Sequence, residues 1–344
     1  MRKMGWFVLV VCLISVLAGG VAAQDMPPLP GEVVVSDLQQ PRGIAFGPDG
    51  ALVVVEGGAG GDLVLAETDE GQVTVGMAWS VSSVAEDGTK TPLLLLPSMN
   101  AGPEALSAYR AYWQDDSWWV VMSGGAPGQP PWNPLAGTIL QLDPTGRIVN
   151  VIDTWAFEEA NNPDGTEELN SNPGDIAWTA DGTLLITDSG ANALLSWTEA
   201  DGLQLVHAWT DNPVPTSIEV ADNGDLYIGF LGAEIAPGAG HIEHWSGDEL
   251  VETFSGLTGV TDIELGADGT LYAVQLFLFG EDPSTGPGPG NIVTVTADGA
   301  TPVVEGLPLP HSMALGEDGS IYVTTATAQF IGPMPGMVLK VSGM

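Results

Sequence analysis

The chain has almost no cysteine and little positive charge. Its one cysteine, Cys12, lies in an N-terminal apolar run, so residues 24–344 have none. Disulfides, thiolate metal sites and a cysteine nucleophile are thereby excluded from that part of the chain. Seven Lys and Arg stand against 44 Asp and Glu, and only five of the seven follow residue 23, which gives that part a net charge of −39 with His neutral. Five scattered basic side chains cannot neutralise a phosphate backbone, so nucleic acid and anionic lipid are poor partners, and cations are favoured over anions as ligands. No Gly-x-Ser-x-Gly elbow, His-Glu-x-x-His or Ser-x-x-Lys motif occurs, and no later apolar run is long enough to span a bilayer.

What is present is turn-rich and apolar. With 46 Gly and 26 Pro, about a fifth of the chain breaks helices, and only 15% is charged. That composition argues against a helical bundle, while 44% apolar residues with 11 Trp, 5 Tyr and 8 Phe argue against disorder. At the N-terminus, Arg2 and Lys3 precede an apolar run over residues 6–18, and Val21-Ala22-Ala23 offers small residues for cleavage. These features predict a signal peptide over residues 1–23 and a secreted or periplasmic chain over 24–344. Val11 precedes Cys12 where a lipoprotein signal wants a small residue, so no stable membrane anchor is expected, and a monomer is.

Five stretches share one pattern, an alternating strand, an Asp-Gly or Asn-Gly turn, and a second strand. They cover residues 43–55, 175–187, 217–229, 262–274 and 312–324, with turns at Asp49-Gly50, Asp181-Gly182, Asn223-Gly224, Asp268-Gly269 and Asp318-Gly319. Such turns between alternating runs signal a hairpin whose two central residues both take positive φ. A weaker copy runs over 105–122 through Asp116-Ser117, and a second turn follows each of the first five hairpins, as at Asp87-Gly88 and Asp298-Gly299. Two hairpins per repeat of about 54 residues make one four-stranded blade. The reading is an all-β fold, a single six-bladed β-propeller of four-stranded antiparallel blades. Residues 32–36 are expected to pair with 337–341 in the last blade and close the ring.

This topology puts the tight turns on one face and the long segments 57–72, 124–137, 157–172 and 280–290 on the other, where binding is expected. The residues ending the second strands near that face are Glu56, Asp188, Phe230, Gln275 and Thr325, and the innermost strands begin near Arg42, Glu104, Asp175, Thr216, Asp262 and His311. Oxygen ligands converging on one axis suit a hard cation, so Glu56, Glu104, Asp175, Asp188 and Gln275 form a candidate Ca²⁺ site. The alternative is that these side chains pair with each other, with backbone amides and with water. Arg42, Asn161, Asn162, Asp164, Asn172, Asn192, Thr216 and His311 are the candidate ligand-binding residues of the loop face. The cluster of Asn161, Asn162, Asp164, Glu167 and Glu168 lacks EF-hand spacing, which favours a capped turn over a Ca²⁺ loop. His241 and His244 lie in a strand whose odd spacing turns the rings to opposite faces. The run Gly57-Gly58-Ala59-Gly60-Gly61 opens no helix and is no dinucleotide fingerprint. Most Trp residues read as blade packing; Trp118, Trp119 and Trp132 flank a long loop where they would stack on a flat ligand.

The sequence resembles the ScyD/ScyE family of secreted bacterial β-propellers. The resemblance rests on Pro41-Arg42-Gly43-Ile44-Ala45-Phe46-Gly47-Pro48-Asp49-Gly50, on Asn161-Asn162-Pro163-Asp164-Gly165 followed by Ser171-Asn172-Pro173, and on Asp188-Ser189-Gly190-Ala191-Asn192. It implies secretion, a propeller and a link to oxidative pigment chemistry. Two function classes follow. One is a non-catalytic propeller that binds a small molecule or an extracellular protein through its loop face and channel. The other is a metal-dependent enzyme, a lactonase-like hydrolase or an oxidative catalyst, working through channel carboxylates and metal-bound water.

Overall fold

The computed structural model describes residues 28–68, 71–100, 105–124, 133, 135–280, 287–327 and 335–342, which leaves the expected signal peptide, Glu104 and Trp132 outside. Six antiparallel sheets follow one another as the blades of a propeller. From the axis outward, blade 1 has Pro41–Phe46, Leu52–Glu56, Gly71–Val84 and Lys90–Asn100. Blade 2 has Ala108–Gln114, Ser117–Met122, Thr138–Leu142 and Ile148–Asp153, and blade 3 Pro173–Trp178, Leu184–Asp188, Ala193–Thr198 and Gly202–Ala208. Blade 4 has Pro215–Val220, Leu226–Phe230, Gly240–Ser246 and Glu249–Leu257, and blade 5 Val260–Leu265, Leu271–Gln275, Gly290–Thr296 and Gly299–Leu307. Blade 6 takes Met313–Leu315, Ile321–Thr325 and Gly336–Val341 from the C-terminal end and Glu32–Leu38 from the N-terminal end.

Alternation explains the packing. Successive side chains of a strand point to opposite sheet faces, so each blade offers an apolar layer to both neighbours. In Ser117–Met122, Trp118, Val120 and Met122 pack on blade 1, whereas Trp119 and Val121 pack on blade 3. Trp118 and Trp119 are thus buried between blades, edge-on to Trp113 and to Trp178 and Trp197, and do not stand free for a flat ligand. Equivalent layers fill the other blade junctions.

The repeated turns are wider than the sequence reading expects. Gly47 N–H donates to Ala51 O, Gly50 N–H donates to Gly47 O, and only Gly50 takes positive φ, at 74°. Asp49 keeps an ordinary φ and accepts the Ala51 N–H on its carboxylate, which fixes the turn. The tight turn with both central residues at positive φ occurs in blade 2 alone among these first hairpins, at Asp115 and Asp116 with φ of 50° and 53°. The innermost strand of blade 2 begins at Ala108, three residues after the expected start of the repeat.

Two expected loops contain structure. Residues 57–72 carry the strand Leu63–Thr68, which pairs with the 14-residue strand Gly71–Val84 and extends blade 1 past Glu56. The glycine run lies flat on this extension: a Cβ on Gly61 would meet Gly76 Cα at 2.6 Å. Residues 154–161 form a helix, Thr154–Asn161, because Asp153 caps its start through the Ala156 N–H and Asn162 ends it at φ 42°.

Ring closure follows the expected pairing, with Glu32 opposite Lys340, Val33 opposite Leu339 and Val35 opposite Val338. Val35 and Leu38 are 8% and 4% exposed between blades 6 and 1, burial that contributes about 3–6 kcal/mol. Removing residues 24–38 should lower the melting temperature by about 10 °C and promote self-association through the bared edge, as read by calorimetry and sedimentation. An unchanged transition would contradict closure by this strand.

Candidate functional site on the channel axis and loop face

The third residue of the innermost strand in blades 1 to 5 and, in blade 6, the residue just before Met313–Leu315 occupy one level of the channel: Gly43, Arg110, Asp175, Ser217, Asp262 and Ser312. Arg110 reaches across the axis from blade 2. Its Nη1 lies 2.8 Å from Asp262 and donates to Ser312 Oγ at 3.1 Å, its Nη2 donates to Thr261 O at 2.9 Å, and its Nε donates to Gly174 O at 3.3 Å, with Asp175 at 3.5 Å. Gly43 has no side chain because this strand passes it; a Cβ there would sit 2.9 Å from Tyr109 O and 3.0 Å from Arg110 Cα. Each carboxylate also holds the next blade, as Asp175 accepts the Ile218 N–H and Asp262 accepts the Met313 N–H. Burial works against the Arg110 charge, but Asp175 and Asp262 more than offset it and keep the guanidinium ionised. Burial pushes the Asp175 carboxyl up to about 6, with Arg110 opposing the shift.

Two residues further along, Glu219 and Glu264 face the same channel, half-buried. Burial first, then the Asp175 and Asp262 charges, raises Glu219 to about 8. Burial and the neighbouring Glu219 raise Glu264 as well. Burial and these neighbouring charges thus favour the protonated form of Glu219 at neutral pH and push Glu264 in the same direction, beside Arg110, Asp175 and Asp262.

The second-strand ends serve a different purpose. Glu56 accepts the Gln39 N–H at 2.9 Å, Asp188 accepts the Asn172 N–H at 2.7 Å, and Gln275 accepts the Thr258 N–H at 2.6 Å. Each thus anchors the chain as it enters its own blade. Asp188 also takes the Ser171 hydroxyl and the Gly190 and Ala191 N–H groups, and Gln275 donates to Asn291. Of the five candidate metal ligands, Asp175 joins the Arg110 group, the other three described residues bind these crossings, and Glu104 lies outside the described residues. Phe230 takes the equivalent position in blade 4 and stacks on His241 at 4.4 Å.

Arg42 and His311 meet at the channel mouth through Tyr109. Arg42 sits 5.6 Å above the Tyr109 ring, and His311 Nε2 is 2.7 Å from the Tyr109 hydroxyl. Burial, then the Arg42 and Arg110 charges, holds His311 well below its ordinary range and so neutral. Thr216 donates to Val260 O. On the loop face, Asp164 and Asn192 meet at 3.0 Å, and Asn192 continues to Asn212 and the Val214 N–H. Asn172 accepts the Gly124 N–H, and Asn161 is exposed with its amide on Phe157 O. His241 and His244 do not share a partner; His244 binds Asp225 and stacks on Tyr227. Glu158, 1% exposed beneath the helix, is raised to about 7 by burial.

Arg110, Tyr109, Glu219, Glu264 and Glu158 are functional candidates absent from the sequence reading. Arg110 was findable in principle, since aligning Ala108-Tyr109-Arg110 with Pro173-Gly174-Asp175 puts it at the channel level, but this needs the two-residue turn of blade 2 to be known. No helix among the described residues is long and apolar enough to cross a membrane.

No family model matches the chain, and no curated protein matches it. Among solved structures it is similar to a gluconolactonase from Xanthomonas campestris, at 11% identity and a TM-score of 0.57 over 92% of this chain and 99% of that one. It is also similar to hydrazine synthase from Kuenenia stuttgartiensis, at 15% identity and a TM-score of 0.50 over 88% and 76%. Virginiamycin B lyase from Staphylococcus aureus aligns at 14% identity and a TM-score of 0.48 over 85% and 79%. At these identities the first two likenesses show the β-propeller fold alone.

The channel acids predict a pH dependence with a definite sign. A carboxyl raised in the folded state gives stability that is complete below about 4.5 and is lost as pH rises through about 8 for Glu219. The melting temperature should therefore fall between pH 6 and pH 9, and Glu219→Gln with Glu264→Gln should at least halve that fall. An equal fall in the double variant would contradict protonated acids on the axis.

Proposed function

We propose that this chain is a secreted, extracytoplasmic β-propeller of the ScyD/ScyE type that binds an extracellular protein or a neutral or cationic small molecule through its loop face and channel mouth. The observation that carries this reading is the extension of blade 1. There Leu63, Met77, Trp79 and Leu95, on one sheet face, are 59%, 57%, 53% and 45% exposed on strands that outgrow their blade toward the loop face. Trp79 and Leu95 are directly cross-strand, so the apolar residues form a surface rather than scattered points. An exposed apolar patch with an aromatic anchor and depleted charge is what binding surfaces present.

The alternative is a metal-dependent enzyme, a lactonase-like hydrolase or an oxidative catalyst. The half-buried Glu219 and Glu264 carboxyls favour it, since they are acids placed inside a channel. The gluconolactonase likeness belongs to the fold. Affinity capture from the secreted fraction of the source organism, compared between wild type and Trp79→Ser with Met77→Ser, separates the two. The binding reading predicts retention of a partner or ligand by wild type and at least a tenfold loss in the variant, with the melting temperature unchanged. Equal retention by both proteins overturns it, as does a metal-dependent lactone hydrolysis that survives in the patch variant and is lost in Glu219→Gln with Glu264→Gln.

A further inference from the structure

We infer that the loop over residues 158–170 binds a hard divalent cation, Ca²⁺ in an extracytoplasmic setting, through Glu158, Asn162, Asp164 and Asn170. This site is separate from the channel and does not depend on the binding reading above. The argument begins with unanswered oxygens. Glu158 is 1% exposed; its Oε1 accepts the Asn170 N–H at 3.2 Å, and its buried Oε2 has no hydrogen-bond partner. Asn162 Oδ1 and Asn170 Oδ1 are likewise buried without a partner. All three orphans are acceptors, and among the described residues no buried nitrogen of residues 154–172 is orphaned with them. A missing donor common to several oxygens is what a cation supplies.

The backbone holds these groups close to one another. The Asn162 N–H donates to Glu158 O, and the Asn170 N–H donates to Glu158 Oε1, so both asparagines are tied to the glutamate. Asn162 cannot satisfy its oxygen by turning its amide over, because its Nδ2 already donates to Thr166 O at 2.9 Å. The capping bonds of this loop use other atoms: Asp164 takes the Thr166 N–H on Oδ1 and Asn192 on Oδ2. Those bonds leave carboxylate lone pairs available.

Charge points the same way. Glu158, Asp164 and Asp188 are 1%, 8% and 0% exposed in this region, and the sequence has no Lys or Arg between Arg147 and Lys340. Asp188 is satisfied by four donors and acts as a neighbour rather than a ligand. Two carboxylates with two amide oxygens and water make an oxygen shell suited to Ca²⁺, whereas Mg²⁺ retains its own waters and demands a stricter octahedron. The bound ion would tie the helix Thr154–Asn161 to blade 3.

The test is thermal denaturation and titration calorimetry of the secreted chain after dialysis against EDTA, with CaCl₂ or MgCl₂ added. Ca²⁺ is expected to raise the melting temperature by several degrees and Mg²⁺ by less. Glu158→Gln, which preserves the bond to the Asn170 N–H, should weaken Ca²⁺ binding at least tenfold. Asn170→Ala, which removes one neutral oxygen, should weaken it less, and keeps the test open if the first variant folds poorly. Glu264→Gln in the channel should bind as wild type does. No response of wild type to Ca²⁺ would mean that Glu158 simply holds a proton, and a response undiminished in both loop variants or lost in Glu264→Gln would place the ion elsewhere; each outcome overturns the inference.

Discussion

A single guanidinium ties blades 2, 3, 5 and 6 across one axis, and the rest of the channel is arranged around it. In a chain of such negative charge, two aspartates facing each other on an axis would drive the ring apart or stay protonated. Arg110 removes that conflict: it accepts the cost of burial because Asp175 and Asp262 surround it and because backbone carbonyls of blades 3 and 5 take its remaining donors. The two aspartates in turn hold the innermost strands of blades 4 and 6. One charge thus sets the spacing of strands contributed by widely separated parts of the sequence.

This arrangement fills the axis and leaves the unpartnered features of the structure at the periphery. The carboxylates that end the second strands anchor blade crossings, and the channel centre is filled by Arg110 and its partners. Blade 1 carries exposed apolar surface on an extended hairpin, and the segment between blades 2 and 3 carries unanswered oxygens beneath a short helix. Both features lie where the scaffold leaves the chain free to vary.

The blades were legible because their signals are local. An Asp-Gly or Asn-Gly pair with alternation on both sides predicts a hairpin whatever the exact turn, so five blades stood out even though the turns are wider than expected. The closing strand followed from counting hairpins, since six first hairpins and five second ones leave one strand to be supplied from the other end. The axis was harder to read because its residues meet through the ring and not through the sequence. Blade 2 hid Arg110 behind a turn of two aspartates, Asp115 and Asp116, which tolerate positive φ and so take the place of the usual glycine. Asp175 lies on the axis beside Arg110 and Asp262, whereas at Glu56, Asp188 and Gln275 backbone N–H groups take up the oxygens. The helix Thr154–Asn161 escaped notice because a single Asp cap and eight residues give little periodicity.

The dependence of the ring on Arg110 is most directly measured by a double-mutant cycle with Arg110→Met and Asp262→Asn, followed by urea denaturation. Each single change should cost about 3 kcal/mol or more, since it leaves a buried charge or its partners unanswered. The double variant should cost less than the sum by about 2 kcal/mol or more, because the second change removes groups already without a partner. Costs that add to within about 0.5 kcal/mol would contradict the account and show that the two residues act independently.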